Sequence, residues 1–219
     1  KTCAVLEPIM TDHNALIEKL GREIKPVRRI WPTGLRMIAW LAVALPCAVA
    51  ASFLVPRGLT AWSMPGAKLA IVQVALAFLL GTLAIRSAFI LSIAGRRPLS
   101  WKVLLPVALM WFGLSVINMQ GNGAVQHDDD STRCFTFLMV VSAPMMLLMI
   151  ASLRRTRSLH PVRSLAMAGV GIASLAVSLL AFCHPVHLHV LDFVMHLAAV
   201  VSIVALTILV GKRWVAPDK

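Results

Sequence analysis

"RCFTFLMVVSAPMMLLMIASLRR", residues 133–155, decides how this chain folds. Between Arg133 and the Arg154 and Arg155 pair run Cys134 to Leu153 without one charged side chain. A hydrocarbon layer of about 30 Å asks for about 20 such residues wound as a helix, so the stretch reads as a membrane span. Five more runs of similar length share its character. The six spans fall at about 35–54, 69–94, 103–119, 134–153, 165–183 and 190–210. The fold class is therefore all-α, a polytopic membrane protein of six transmembrane helices preceded by a short N-terminal helix.

Composition agrees. Of 219 residues, 59% are hydrophobic and 14% charged, and the mean hydropathy is +0.83, values outside the range of soluble globular domains. The net charge of +12 invites a nucleic-acid interface, but the placement of the charges argues against it. With the spans as drawn, all of the 21 basic residues except Arg57, Lys68 and Arg133 lie on the side of the N-terminus. Positive residues collect in the cytoplasm, so both termini are expected there and direct nucleic-acid contact is not. Trp31, Trp40, Trp101 and Trp214 lie near the inner ends of spans, as an interfacial belt would place them. No signal peptide is expected ahead of the first span. Residues 1–9 are weakly patterned and carry no weight.

The chain divides into a cytoplasmic N-terminal segment (1–32), the six-helix domain (33–213) and a cytoplasmic tail (214–219). In "MTDHNALIEKLGREIKPVRRIWP", residues 10–32, Asp12 or Asn14 can cap a helix that Pro26 ends. Leu16, Ile17, Leu20 and Ile24 gather on one face, with Glu18, Lys19, Arg22 and Glu23 elsewhere. Such a helix lies on a membrane surface or docks into a partner's groove, and periodicity leaves both open. The inner loops "AGRRPLSWK" (94–102) and "LRRTRSLHPVRS" (153–164) are short, so spans two and three, and four and five, should be antiparallel neighbours. Pro46, Pro106 and Pro144 lie inside helices, which membrane bundles tolerate.

The chemistry collects at the opposite ends of the spans. From Cys134 to Leu153 are 19 helical steps and from Leu165 to Cys183 are 18, roughly 28 and 27 Å at helical rise. Both thiols thus reach nearly the same outer height. In an oxidising compartment either a disulfide or a metal-capped pair suits them. Beyond Cys183 the sequence reads "HPVHLHVLDFVMH", residues 184–196. His184 and His187 lie in the turn, and His189, Asp192 and His196 follow at i, i+3 and i+7 on one face of the last helix. Ionisable residues within a span normally face the bundle. His127, Asp128, Asp129 and Asp130, just before Cys134, form a second tier. Thiolate with imidazole suits zinc first, then cadmium or copper, although the spacing fits no standard zinc motif. The histidines also read as interfacial anchors and the aspartates as a solvated tip. Cys47, near the bilayer middle, reads as packing.

Four stretches carry a resemblance: "LIEKLGREIKPVRRIWP" (16–32), "AGRRPLSWKVLLPVALMW" (94–111), "RCFTFLMVVSAP" (133–144) and the Cys183 segment before the last helix. In this order on a six-span frame, the chain resembles the NrsF-type family of bacterial inner-membrane anti-sigma factors, negative regulators of sigma-F-like extracytoplasmic-function sigma factors. The resemblance implies that the N-terminal segment holds a sigma factor, here through Leu16, Ile17, Leu20 and Ile24 with Lys19, Arg22, Lys25, Arg28 and Arg29. It also implies that Cys134 and Cys183 form a periplasmic pair answering to heavy metal or oxidation. The histidines after Cys183 depart from the family's pattern and move the expected signal toward a metal. The expected function is a membrane regulator without enzymatic activity, in contact with lipid, with a homodimer left open. The rivals are weaker. A metal transporter needs ionisable residues through the membrane, and almost none lie below His196. A thiol oxidoreductase needs a Cys-x-x-Cys pair, and a structural subunit needs no sigma factor.

Overall fold

The computed structural model describes residues 6–23, 31–56, 60, 62, 67–93, 95–96, 99–120, 131–156, 161–183 and 190–215. Seven helices run through them: α1 (Leu6–Glu23), α2 (Thr33–Ser52), α3 (Ala67–Leu91), α4 (Trp101–Gln120), α5 (Ser131–Arg154), α6 (Pro161–Leu180) and α7 (Val190–Val215). No strand occurs among the described residues. Helices α2 to α7 are each long and apolar enough to cross a membrane, so the all-α, six-span expectation holds. Each observed helix begins two to four residues before its expected span, α7 excepted, because Thr33, Ser131 and Pro161 continue the helix although they are not hydrophobic. Pro161 stands at a first-turn position, where a missing N–H costs nothing.

The chain forms two compact units, Lys1–Trp31 and Pro32–Lys219. In the first, α1 begins at Leu6 and runs unbroken past Asp12 and Asn14, so neither residue caps it. Helix hydrogen bonding simply continues upstream, with Pro8 tolerated in the first turn. Leu16, Ile17 and Leu20 are 54%, 66% and 51% exposed, and Arg22 pairs with Glu18 across one turn at 2.7 Å. Lys19 is exposed. Ile24, Lys25, Pro26, Arg28 and Arg29 lie outside the described residues.

In the second unit, α6 is the shared wall. It packs most extensively against α3, then α7, and also against α5; α5 in turn packs on α7 and α2, and α4 lies on α3. The expected neighbours α3 with α4 and α5 with α6 are thus present. Helices in lipid gain nothing from hiding apolar surface from each other, so close backbone approach has to hold them. Small residues provide it here. A Cβ on Gly171 would lie 2.7 Å from Ile85 Cδ1 and 3.0 Å from the Gly81 carbonyl oxygen, and one on Gly81 would lie 2.8 Å from Leu175 Cγ. On the α7 side, a Cβ on Gly169 would come within 2.8 Å of the Val204 Cα. Ser164 adds a bond between helices, its hydroxyl donating to the Ala88 carbonyl at 3.1 Å.

The opening stretch of the sequence supplies a second packing surface. Cys134, Leu138, Val141, Met145, Met149 and Leu153 recur at helical spacing and are all buried. Other hydroxyls within the spans turn inward on their own helices: Ser115 donates to the Trp111 carbonyl, Ser174 to Val170 and Thr207 to Ile203, which satisfies them without water. At the end where α2 begins, cations rest on aromatic rings. Arg36 lies 4.9 Å from the Phe89 centroid and Arg154 5.2 Å from that of Trp214, contacts that favour a partly desolvated guanidinium.

The glycine contact carries a prediction. Gly171→Ala should destabilise the folded bundle by about 1–3 kcal/mol, the cost of overpacking a close interface. Gly113→Ala on α4, where an added Cβ meets nothing within 4 Å, should be neutral or slightly stabilising. Denaturant titration in detergent micelles measures both, and equal effects would contradict the close approach.

Candidate functional site

The chemistry gathers where α5 starts and α6 finishes. Cys134 sits in the first turn of α5, 6% exposed, at the head of the buried stripe that runs to Leu153. Cys183 follows the last turn of α6 and packs half-buried against the same hydrophobic core that contains Cys134. The turn leading to it is regular: the Ala181, Phe182 and Cys183 N–H groups donate to the carbonyls of Val177, Leu179 and Leu180 at 3.3, 3.2 and 2.8 Å. Both cysteines, and Cys47 within α2, are present as thiols. Cys134 and Cys183 therefore share one end of one core.

Helix α7 contributes Asp192 and His196. Asp192 is half-buried in the first turn. His196 is 6% exposed, and its Nδ1 bonds the Asp192 backbone carbonyl. A carbonyl can only accept, so Nδ1 carries the proton and Nε2 holds the lone pair in the neutral ring. The sequence argument that an ionisable residue in a span turns into the bundle is met by His196. One turn earlier, the Phe193 ring meets Phe112 of α4 edge-on at 5.4 Å, which fixes this end of α7.

His184, His187 and His189, with His127, Asp128, Asp129 and Asp130, lie outside the described residues. Among the described residues no three of His, Cys, Asp and Glu gather as a metal site. Cys134, Cys183, Asp192 and His196 therefore do not by themselves make a metal centre.

The structure adds residues that sequence reasoning missed. Thr60, between α2 and α3, donates from its hydroxyl to the Ala181 carbonyl at 2.9 Å and from its N–H to the Phe182 carbonyl at 3.4 Å. Trp62 places its ring 5.7 Å from that of Phe182. The only sequence signal was a tryptophan in the connection "VPRGLTAWSMPGAK" at the opposite end from the other interfacial ones.

Six apolar helices behind a separate amphipathic helix define the architecture of a multi-pass helical membrane protein. A family model described as "Negative regulator of sigma F" (NrsF) matches residues 20–216, nearly the whole chain, and the protein belongs to that family. It is thereby a negative regulator of a sigma factor, which makes a sigma factor its partner. The resemblance carried by the four stretches of sequence is confirmed. Comparison with curated proteins and with solved structures finds no match. The matched region starts at Leu20, so Leu16 and Ile17 lie ahead of it.

Burial orders the two outer thiols. A water-soluble maleimide should modify Cys183 at least about tenfold faster than buried Cys134, since access limits thiol chemistry. Peptide mass spectrometry of protein in nanodiscs reads the order, and faster reaction at Cys134 would contradict the placement described.

Proposed function

We propose that this protein is an anti-sigma factor of the bacterial inner membrane that holds an extracytoplasmic-function sigma factor through its N-terminal segment and releases it when the Cys134 and Cys183 site is loaded or oxidised. The observation that carries the reading is the family match combined with a separate helical unit whose apolar stripe, Leu16, Ile17 and Leu20, is open to solvent. An amphipathic helix of this kind fits a partner's groove. Lys19 and Arg22, with Lys25, Arg28 and Arg29 further along, would complement an acidic rim on the sigma factor. The collection of basic residues on the face where α2 begins supports cytoplasmic termini. Cys134 and Cys183 then face the periplasm.

Two inputs fit the thiols. A soft metal, zinc first and cadmium or copper next, would take both thiolates with imidazoles from His184, His187, His189 or His196 and the Asp192 carboxylate, the acidic run His127 to Asp130 standing behind them. Alternatively the two thiols lose two protons and two electrons to an oxidant such as a peroxide, which is reduced to water, and a disulfide forms. Either event acts at the head of the α5 stripe, and α5 packs on α2, α6 and α7. Moving a two-state equilibrium from 1:99 to 99:1 takes about 5.5 kcal/mol of preference for the released state, within what thiolate ligation supplies. The rival readings receive no support of their own from the fold.

Two outcomes test the reading. Leu16→Asp with Leu20→Asp should weaken co-purification of the sigma factor about 100-fold or more, as loss of an interface centre does, while membrane insertion stays intact; undiminished binding would remove α1 from the interface. Cys134→Ser with Cys183→Ser should leave sigma binding unchanged and abolish reporter induction by cadmium and by peroxide. A normal response in that double variant would end the sensor proposal.

A further inference from the structure

The carbonyls at the end of a helix have no donors of their own helix left to meet them. Past the end of α6 the N–H groups of the turn meet the Val177, Leu179 and Leu180 carbonyls, and the turn's own carbonyls at Ala181 and Phe182 follow. Both are met by Thr60, a residue 121 positions from Ala181. Its hydroxyl takes the first at 2.9 Å and its N–H the second at 3.4 Å. Thr60 therefore binds the turn that follows α6 from another part of the chain. Trp62 closes the other side by packing on Phe182 with the rings tilted by 57°. The next residue is Cys183.

We infer that Thr60 and Trp62 are positioning residues for the Cys183 thiol: together they clamp the turn that presents it, set how readily it reacts, and tie it to α2. The third part follows from connectivity. Thr60 lies a short way beyond Ser52, the last residue of α2, and Val55 between them is buried in the hydrophobic core. Any movement of the Cys183 turn must either break the two Thr60 bonds or carry Thr60 with it. A threonine is suited to the task because one residue supplies two donors at neighbouring angles, and its β-branch restricts the hydroxyl's rotamers. Trp62 adds a contact that survives exchange of the polar bonds with water.

The clamp deepens the sensor reading and relies on it only for the biological meaning of Cys183's reactivity. The test is the alkylation rate of Cys183 by iodoacetamide in the full chain in nanodiscs, without sigma factor, metal or oxidant, with Cys134 and Cys47 followed in the same sample. Thr60→Val keeps the shape and removes the hydroxyl. It should raise the Cys183 rate about fivefold, the effect of losing one hydrogen bond from the closed turn, and leave Cys134 and Cys47 unchanged. Thr60→Ser should restore the wild-type rate, since it keeps the donor. Trp62→Ala leaves both Thr60 bonds in place and should raise the Cys183 rate about twofold, a smaller share of the same contact energy; it also serves if the valine variant fails to assemble. Unchanged Cys183 rates, or an equal rise at all three cysteines, would overturn the clamp. Failure of the reporter response would instead sink the sensor reading and leave this measurement standing.

Discussion

Everything in the membrane unit rests on how closely α6 approaches α3 and α7. In a hydrocarbon solvent, apolar side chains have no preference for each other over lipid, so contact has to come from shape and from backbone approach. Gly171 and Gly81 face one another with no Cβ between them, and Ile85 and Leu175 fill the space that a Cβ would take. Gly169 does the same toward Val204. With both flanks of α6 fixed in this way, the direction in which its last turn points is fixed too. Cys183 inherits its place from glycines more than one helical turn below it.

Helix α5 links the two faces of the unit. Its buried stripe begins at Cys134 and ends at Leu153, one residue before Arg154 reaches the Trp214 ring at the other face. A helix of 24 residues packed along its length on α2, α6 and α7 transmits displacement because packed interiors do not deform smoothly. Cys134 in its first turn is therefore carried on a rigid element with three partners. The buried His196, held to its own helix by the Asp192 carbonyl, stands at the same end of α7. Its Nδ1–H bond fixes which ring nitrogen keeps the lone pair.

Much of this was legible in the sequence for a physical reason. A spanning helix must bond its own backbone and must be long enough to cross, so residues such as Cys134 to Leu153 announce it by length and polarity. The short loops around Gly95 and His160 announced the α3–α4 and α5–α6 neighbours. The helix start at Leu6 was missed because Asp12 and Asn14 look like caps, whereas a helix that already has momentum upstream passes through them. The dominant α3–α6 pairing was missed as well. A glycine inside an apolar run reports a small volume and says nothing about which helix will fill it. Thr60 was invisible for a related reason: its partners are the backbone carbonyls of Ala181 and Phe182, and every residue has one. The heights of Cys134 and Cys183 could be counted along helices, while His184, His187 and His189 lie outside the described residues.

Both connections from the cysteine end converge on α2. Along its length α2 packs against α5, whose first turn carries Cys134; beyond its last turn, Thr60 grips the turn that carries Cys183. The first contact is broad and apolar, and the second is two hydrogen bonds and one ring pair. These differ in stiffness, because apolar packing resists separation over many atoms whereas two part-buried hydrogen bonds are worth about 1 kcal/mol each. Helix α2 thus meets both cysteine-bearing elements, α5 along its side and the Cys183 turn through Thr60 in the connection that follows it. It starts at Thr33, directly after the N-terminal unit in sequence, where Arg36 on Phe89 and the Arg96 to Thr33 bond anchor its other end.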